Sequence, residues 1–209
     1  GLRERAHALM AFFMAGQHPP AWSHWAEVVW RDPKSPRFIG DMPHTWVGSD
    51  FIRAARSLFV YEREADQALV VGAGIVAAWL EQAPASGIAI RRLPTWYGTL
   101  NYRMALAGAD TVRVRLTGDV TVPAGRIILY SPLARHLRAV QLNGRKLETF
   151  TDRYATIDQF PAEVEFQYAS DSDSTATAAT DPVPAQAPAT SSPLDPAGSP
   201  APWPSRSIP

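Results

Sequence analysis

The sequence predicts an α+β protein divided by segment. Helices are expected over residues 1–65, an antiparallel β-sandwich over 66–169, and a disordered Pro/Ala/Ser/Thr tail over 170–209. Three observations predict this. Apolar residues recur at helical spacing up to Tyr61. Beyond Glu64 the period shortens from 3.6 to 2, with turn residues between short runs. Nine of the 19 prolines fall between Pro182 and Pro209, where Trp203 is the one aromatic residue.

The first helix is expected over 2–15. Leu2, Leu9, Met10 and Phe13 make an apolar stripe, Gly16 ends it, and Pro19-Pro20 prevents its resumption. The segment AWSHWAEVVW, 21–30, reads as one or two helical turns, and Pro33 and Pro36 make a loop of 31–40. A second helix runs from about Thr45 to Tyr61. Val47, Phe51, Ala54, Ala55, Leu58 and Phe59 form a broad apolar face, with Asp50, Arg53 and Arg56 mostly opposite. A face this wide calls for neighbours on more than one side.

The strands follow. Ala68–Val71 and Ile88–Arg92 are short, with one or two helical turns at Ile75–Glu81 between them. Leu100–Leu106 alternates. Thr111–Thr117 alternates most cleanly, Val112, Val114 and Leu116 against Arg113 and Arg115. Ile127–Tyr130, Ala139–Leu142, Arg145–Glu148, Tyr154–Ile157 and Val164–Tyr168 complete the set. Asn143-Gly144 is a strong hairpin signal. Eight or nine short strands with such turns read as a sandwich.

Composition narrows the function. The 20 basic and 20 acidic side chains balance; the tail carries four Asp and one Arg, so residues 1–169 hold a charge of +3. That charge without a Lys/Arg cluster is a poor footprint for nucleic acid. The apolar runs fall short of the ~20 residues of a membrane span. Without cysteine there is no disulfide framework and no thiolate chemistry. The compartment is left open. Gly72-Ala73-Gly74 lacks the spacing of a nucleotide loop and reads as a strand turn, and no HExxH or serine elbow occurs. No cofactor is called for.

The chemically dense stretch is 18–50. It holds Trp22, Trp25, Trp30 and Trp46 among Glu27, Asp32, Asp41 and Asp50, with His24 and His44. Indoles among carboxylates suit a sugar, whose apolar face stacks on a ring while its hydroxyls take polar partners. The same tryptophans also suit packing anchors in a Pro-rich loop, and Asp41 suits a turn or helix cap.

The stretch GDMPHTWVGSDFIRAARSLFVYE, 40–62, resembles the closing helix of six-hairpin, (α/α)6-barrel glycoside hydrolases. LVVGAGIVAAWLEQ, 69–82, is similar to the segment that follows that helix in bacterial α-L-rhamnosidase-like members. GIAIRRLPTWYGTLNYRMAL, 87–106, and VQLNGRKL, 140–147, resemble the start and a late hairpin of their C-terminal sandwich. The resemblance implies that 1–65 are the terminal helices of an incomplete catalytic barrel and that carbohydrate is the partner. It implies Glu27, in WAEVVW, as general base, and His44, in DMPHTW, as a pocket residue. The family's Trp-Glu-Arg-Trp is here Trp25-Ala26-Glu27-Val28-Val29-Trp30, so Asp41 remains a rival base. Trp25, Trp30 and Trp46 would supply the sugar platform. The general-acid segment has no counterpart in this chain.

The chain begins at Gly1 rather than Met. It therefore reads as the C-terminal portion of a larger hydrolase, or an orphan of a split gene, inactive without the preceding part of the barrel. A non-catalytic carbohydrate-binding or structural sandwich is the alternative, with Trp96 and Tyr97 as a surface platform or as packing.

Overall fold

The computed structural model describes residues 2–17, 22–27, 40–84 and 86–170. It shows helices followed by a β-sandwich. The elements are α1 (Arg3–Ala15), α2 (Thr45–Phe59), β1 (Val60–Arg63), β2 (Ala68–Val71) and α3 (Ala77–Glu81). They continue with β3 (Ile88–Thr95), β4 (Gly98–Leu106), β5 (Thr111–Gly118), β6 (Ile127–Tyr130), β7 (Leu137–Leu142), β8 (Arg145–Lys146), β9 (Tyr154–Ile157) and β10 (Ala162–Tyr168). The tail beyond residue 170 lies outside the described residues.

One sheet has the order β3-β4-β5-β10-β7-β8 and is antiparallel throughout. The other has the order β1-β2-β6-β9. It departs from the antiparallel expectation at one place, because β2 and β6 run parallel. The chain leaves β2, builds three strands of the facing sheet and returns as β6, and alternation along a single strand carries no record of such a long crossover.

Alternation builds the core between the sheets. Val112, Val114 and Leu116 have no exposed surface, and neither do Leu100, Met104, Val164, Phe166, Ile127, Leu129 and Ile157. Each contributes roughly 1.5–3 kcal/mol of transfer free energy, set against the entropy of ordering it. Arg113 and Arg115 face outward, opposite Glu165 and Glu163 across the β5–β10 ladder. The Arg113–Glu165 pair closes to 2.9 Å. At Asn143 and Gly144 φ is 51° and 77°, the two left-handed residues a two-residue hairpin turn demands.

The helical segment differs from its sequence reading in three ways. Residues 22–27 are not helical; Trp25 there makes tertiary contacts instead of continuing a turn. The second helix stops at Phe59, and Val60–Arg63 pairs with β2 as the sheet's first strand. A ladder of backbone bonds outweighs the continuing helical period. At α1, Leu2 and Leu9 of the expected stripe point to solvent, at 75% and 69% exposure, and polar residues join Phe13 in docking the helix. Arg3 donates from Nε to the Ala73 carbonyl at 2.9 Å and from its terminal nitrogens to Pro132 and Ser131 at 3.0 and 2.9 Å. Burial pushes its guanidinium down from the ordinary value. His7 Nε2 lies 2.7 Å from the Gly74 carbonyl oxygen, and its ring packs edge-on against Trp79.

The Gly72-Ala73-Gly74 turn receives the end of α2. The N–H groups of Gly72 and Gly74 donate to the Phe59 and Leu58 carbonyls, at 2.8 and 2.9 Å, so two carbonyls that the helix leaves unpaired are satisfied. A Cβ at Gly74 would lie 2.6 Å from the Leu58 Cα, so no larger residue fits this approach. Arg56 also docks instead of facing solvent. It grips Glu62 bidentately at 2.8 and 3.0 Å and donates to the Pro94 carbonyl at 2.9 Å. Burial works to raise the Glu62 carboxyl, but hydrogen bonds from Arg56 and the Trp96 N–H, with the Arg56 charge, hold it below its ordinary value.

Candidate functional site

The segment 22–27 lies along 41–44, just before α2. The Glu27 N–H donates to the Asp41 carbonyl at 3.0 Å, and the His44 N–H donates to the Trp25 carbonyl at 2.9 Å. Two stretches about fifteen residues apart in sequence are thereby held side by side. Glu27, Asp41, His44 and Trp25 meet at this junction.

Trp25 is the anchor. It is 5% exposed. Its ring stacks on Phe13 of α1 and Phe51 of α2, with centroids 5.5 and 4.6 Å away, and its Nε1 donates to the Phe13 carbonyl at 2.8 Å. Phe13 and Phe51 also stack on each other at 5.6 Å. Three rings from three segments form the small apolar centre that locates the junction. Trp25 thus presents packing surface inward rather than a face to solvent.

The residues around it are open. Glu27 and Asp41 are both exposed. The Asp41 side chain does not cap α2, since the N-cap is His44 and no side chain bonds there. The His44 ring stacks on Trp46 with centroids 6.2 Å apart, and its Nδ1 is buried without a hydrogen-bond partner among the described residues. A buried, unpartnered imidazole nitrogen is costly unless something meets it. Trp46 is 71% exposed and offers a flat indole face. Trp30 lies outside the described residues. The junction therefore offers two exposed carboxyl groups, one imidazole with unsatisfied capacity and one exposed indole. Such a set can stack on a ring, hold its hydroxyls and move a proton.

Two further regions bear on function. Trp96, at the β3–β4 turn, is 67% exposed, whereas Tyr97 beside it packs against the core. Sequence reasoning missed a cleft of about 500 Å³ beside the start of α1, lined by Arg3, Tyr61, Tyr130 and Arg153 among others. A signal for it existed in Tyr130, which stands at an outward position of the otherwise apolar β6. No three His, Asp or Glu side chains gather to hold a metal among the described residues. None of the described helices is long and apolar enough to cross a membrane.

No protein-family model matches the chain, and no curated protein does. Among solved structures, the chain is similar to a GH127 β-L-arabinofuranosidase from Geobacillus stearothermophilus T6, at 17% identity and a TM-score of 0.31. The match covers 59% of this chain and 18% of that one. A likeness at this level carries no argument about fold or activity.

Proposed function

We propose that this chain is the C-terminal portion of a glycoside hydrolase. In this reading the helices up to Phe59 complete an (α/α)6 catalytic barrel, and the accessory sandwich begins with β1 at Val60 rather than at residue 66. The observation that carries it is the pairing of 25–27 with 41–44 through the Glu27–Asp41 and His44–Trp25 backbone bonds, which supports a shared site for Glu27, Asp41 and His44. These are the residues that the resemblance to rhamnosidase-like hydrolases singles out. The uncovered apolar side chains of the helices support it further. Leu9, Phe12, Trp46 and Ile52 are 69%, 56%, 71% and 69% exposed, as expected of helices whose neighbours belong to a larger barrel.

In this reading Glu27 is the general base, taking a proton from the water that attacks the anomeric carbon. A carboxylic acid in the preceding part of the barrel protonates the departing oxygen. An inverting pair of this kind stands about 6.5–9.5 Å apart, so one carboxyl group cannot serve both faces of the ring. Trp46 supplies the stacking face, His44 donates or accepts at a hydroxyl, Trp25 holds the junction and Trp30 extends the platform. Asp41 is the rival base.

The test uses aryl α-L-rhamnosides and a panel of other aryl glycosides. The 209-residue chain alone should give no turnover. In the complete hydrolase, Glu27→Gln should lower kcat by roughly 10²–10⁴-fold without loss of fold, the usual range for a positioned proton-transfer group. Robust turnover by the chain alone would overturn the fragment reading. Full activity of the Glu27→Gln hydrolase would move the base to Asp41.

The second reading, a non-catalytic sandwich that binds carbohydrate, is favoured by the exposed Trp96. If it holds, Trp96→Ala should abolish retention of the chain on a polysaccharide matrix, and Trp46→Ala should not.

A further inference from the structure

The outer face of the β1-β2-β6-β9 sheet carries Arg63 and Thr156 on its edge strands and aromatic or aliphatic side chains between them. Tyr61, Tyr130 and Tyr154 lie there over Ala68, Val70 and Ile128, a second apolar cluster apart from the main core. The Tyr130 and Tyr154 rings are 5.5 Å apart. The start of α1 and the loops around 131–136 and 152–153 enclose a cleft of about 500 Å³ against this face. That size falls in the range of small-molecule sites, about 300–1,000 Å³.

The charged groups lining the cleft are mostly matched. Arg135 pairs with Asp110 at 2.6 Å. Asp152 is held by His136 Nδ1 at 2.9 Å and by the Leu137 N–H at 3.3 Å. Glu4 lies in the field of Arg3, whose own N–H groups are bound to three carbonyls. Of the arginines, Arg153 is left over. It is exposed, it lines the cleft together with Arg3, and its guanidinium has no hydrogen bond or ion pair among the described residues. The Tyr61 and Tyr130 hydroxyls are likewise unpartnered among those residues.

We propose that this cleft binds a sugar acid, with the apolar face of the ring on the Tyr61–Tyr130 surface and the carboxylate on Arg153. A neutral sugar would leave Arg153 unpaired. A small inorganic anion would leave the tyrosine rings bare. A ring bearing both hydroxyls and a carboxylate meets the tyrosine rings, their hydroxyls and Arg153 together. The site is independent of the glycosidase reading, since neither Glu27 nor Asp41 nor His44 lines it.

The 209-residue chain is titrated with glucuronate, glucose and inorganic phosphate, and tyrosine and arginine side-chain NMR shifts are followed. Glucuronate should bind saturably and at least tenfold more tightly than the other two. Arg153→Gln should weaken glucuronate roughly ten- to a hundredfold, the loss of a charge-assisted hydrogen bond, with the melting temperature unchanged. Tyr130→Ala should weaken it too, and Tyr130→Phe should retain the ring contribution. Glucuronate binding no tighter than glucose, or unchanged by Arg153→Gln, overturns the proposal. So does phosphate binding as tightly as glucuronate, which would mark an anion site only, or a titration that never saturates.

Discussion

Leu116, Ile157 and Phe166 in the sandwich have no solvent-accessible surface, whereas α1 and α2 contain no buried residue. The two regions adjoin in one chain and hold their structure by different means. The sandwich relies on apolar area removed from water by alternating strands. The helices rely on a three-ring cluster around Trp25 and on polar contacts made by Arg3, His7 and Arg56. The sandwich therefore has a closed core of its own. The helices are placed by the sandwich while several of their own apolar side chains stay open.

This contrast is broken or sharpened by substitutions of graded effect. Phe166→Ala should cost about 3–5 kcal/mol, because it empties the closed core. Urea denaturation would measure it, and a loss under about 1 kcal/mol would mean that the core is not the main source of stability. Arg3→Ala comes next, at about 1.5–3 kcal/mol, since it strands three partly buried carbonyls and releases α1. Limited proteolysis should then cut within 3–15 while the sandwich stays intact. Equal protection of both regions would show that α1 does not depend on that anchor.

Alkaline titration separates the regions in a third way. Burial raises the Tyr168 hydroxyl to about 12, offset in part by its bond to Ser131, and raises Tyr102 as well. Both rings belong to the sandwich core. The unfolded chain ionises tyrosine near 10, so it loses protons first. Stability should be intact below pH 10 and fall as pH rises toward 12. Phenolate absorbance should rise together with unfolding for these two, and a rise well below that window would contradict their burial. At the smallest scale, Leu9→Lys and Ile52→Lys should change stability by no more than about 0.5 kcal/mol, because both side chains are already exposed. A large destabilisation from either would mean that the helices cover each other more than their exposure indicates.

The strands were legible because a half-buried strand writes its orientation in every second residue. Val112, Val114 and Leu116 face inward with Arg113 and Arg115 outward, and Asn143-Gly144 makes its turn, as expected. Helix faces were less legible. Of the stripe expected to face inward on α1, Phe13 docks while Leu2 and Leu9 stay exposed, and Arg3 and His7 make the contacts with the sandwich, whose nearby carbonyls reward a donor more than a methyl group. Arg56 was misplaced for the same reason. At the candidate site, the residue types of Glu27, Asp41, His44 and Trp46 could be read in advance. Their meeting could not, because it depends on two backbone bonds between separate stretches.

The sequence by itself determined the local matters: helices before strands, the strand periods, the hairpin turn, and the residue types available for chemistry. These follow from side-chain period and backbone preference, which act over a few residues. Only the tertiary structure decided the end of α2 at Phe59, the parallel pairing of β2 with β6, the role of Trp25 as an anchor and the cleft beneath Tyr61 and Tyr130. Each of these is settled by a partner far along the chain, and the free energy of such a contact belongs to the pair rather than to either residue's neighbours in sequence.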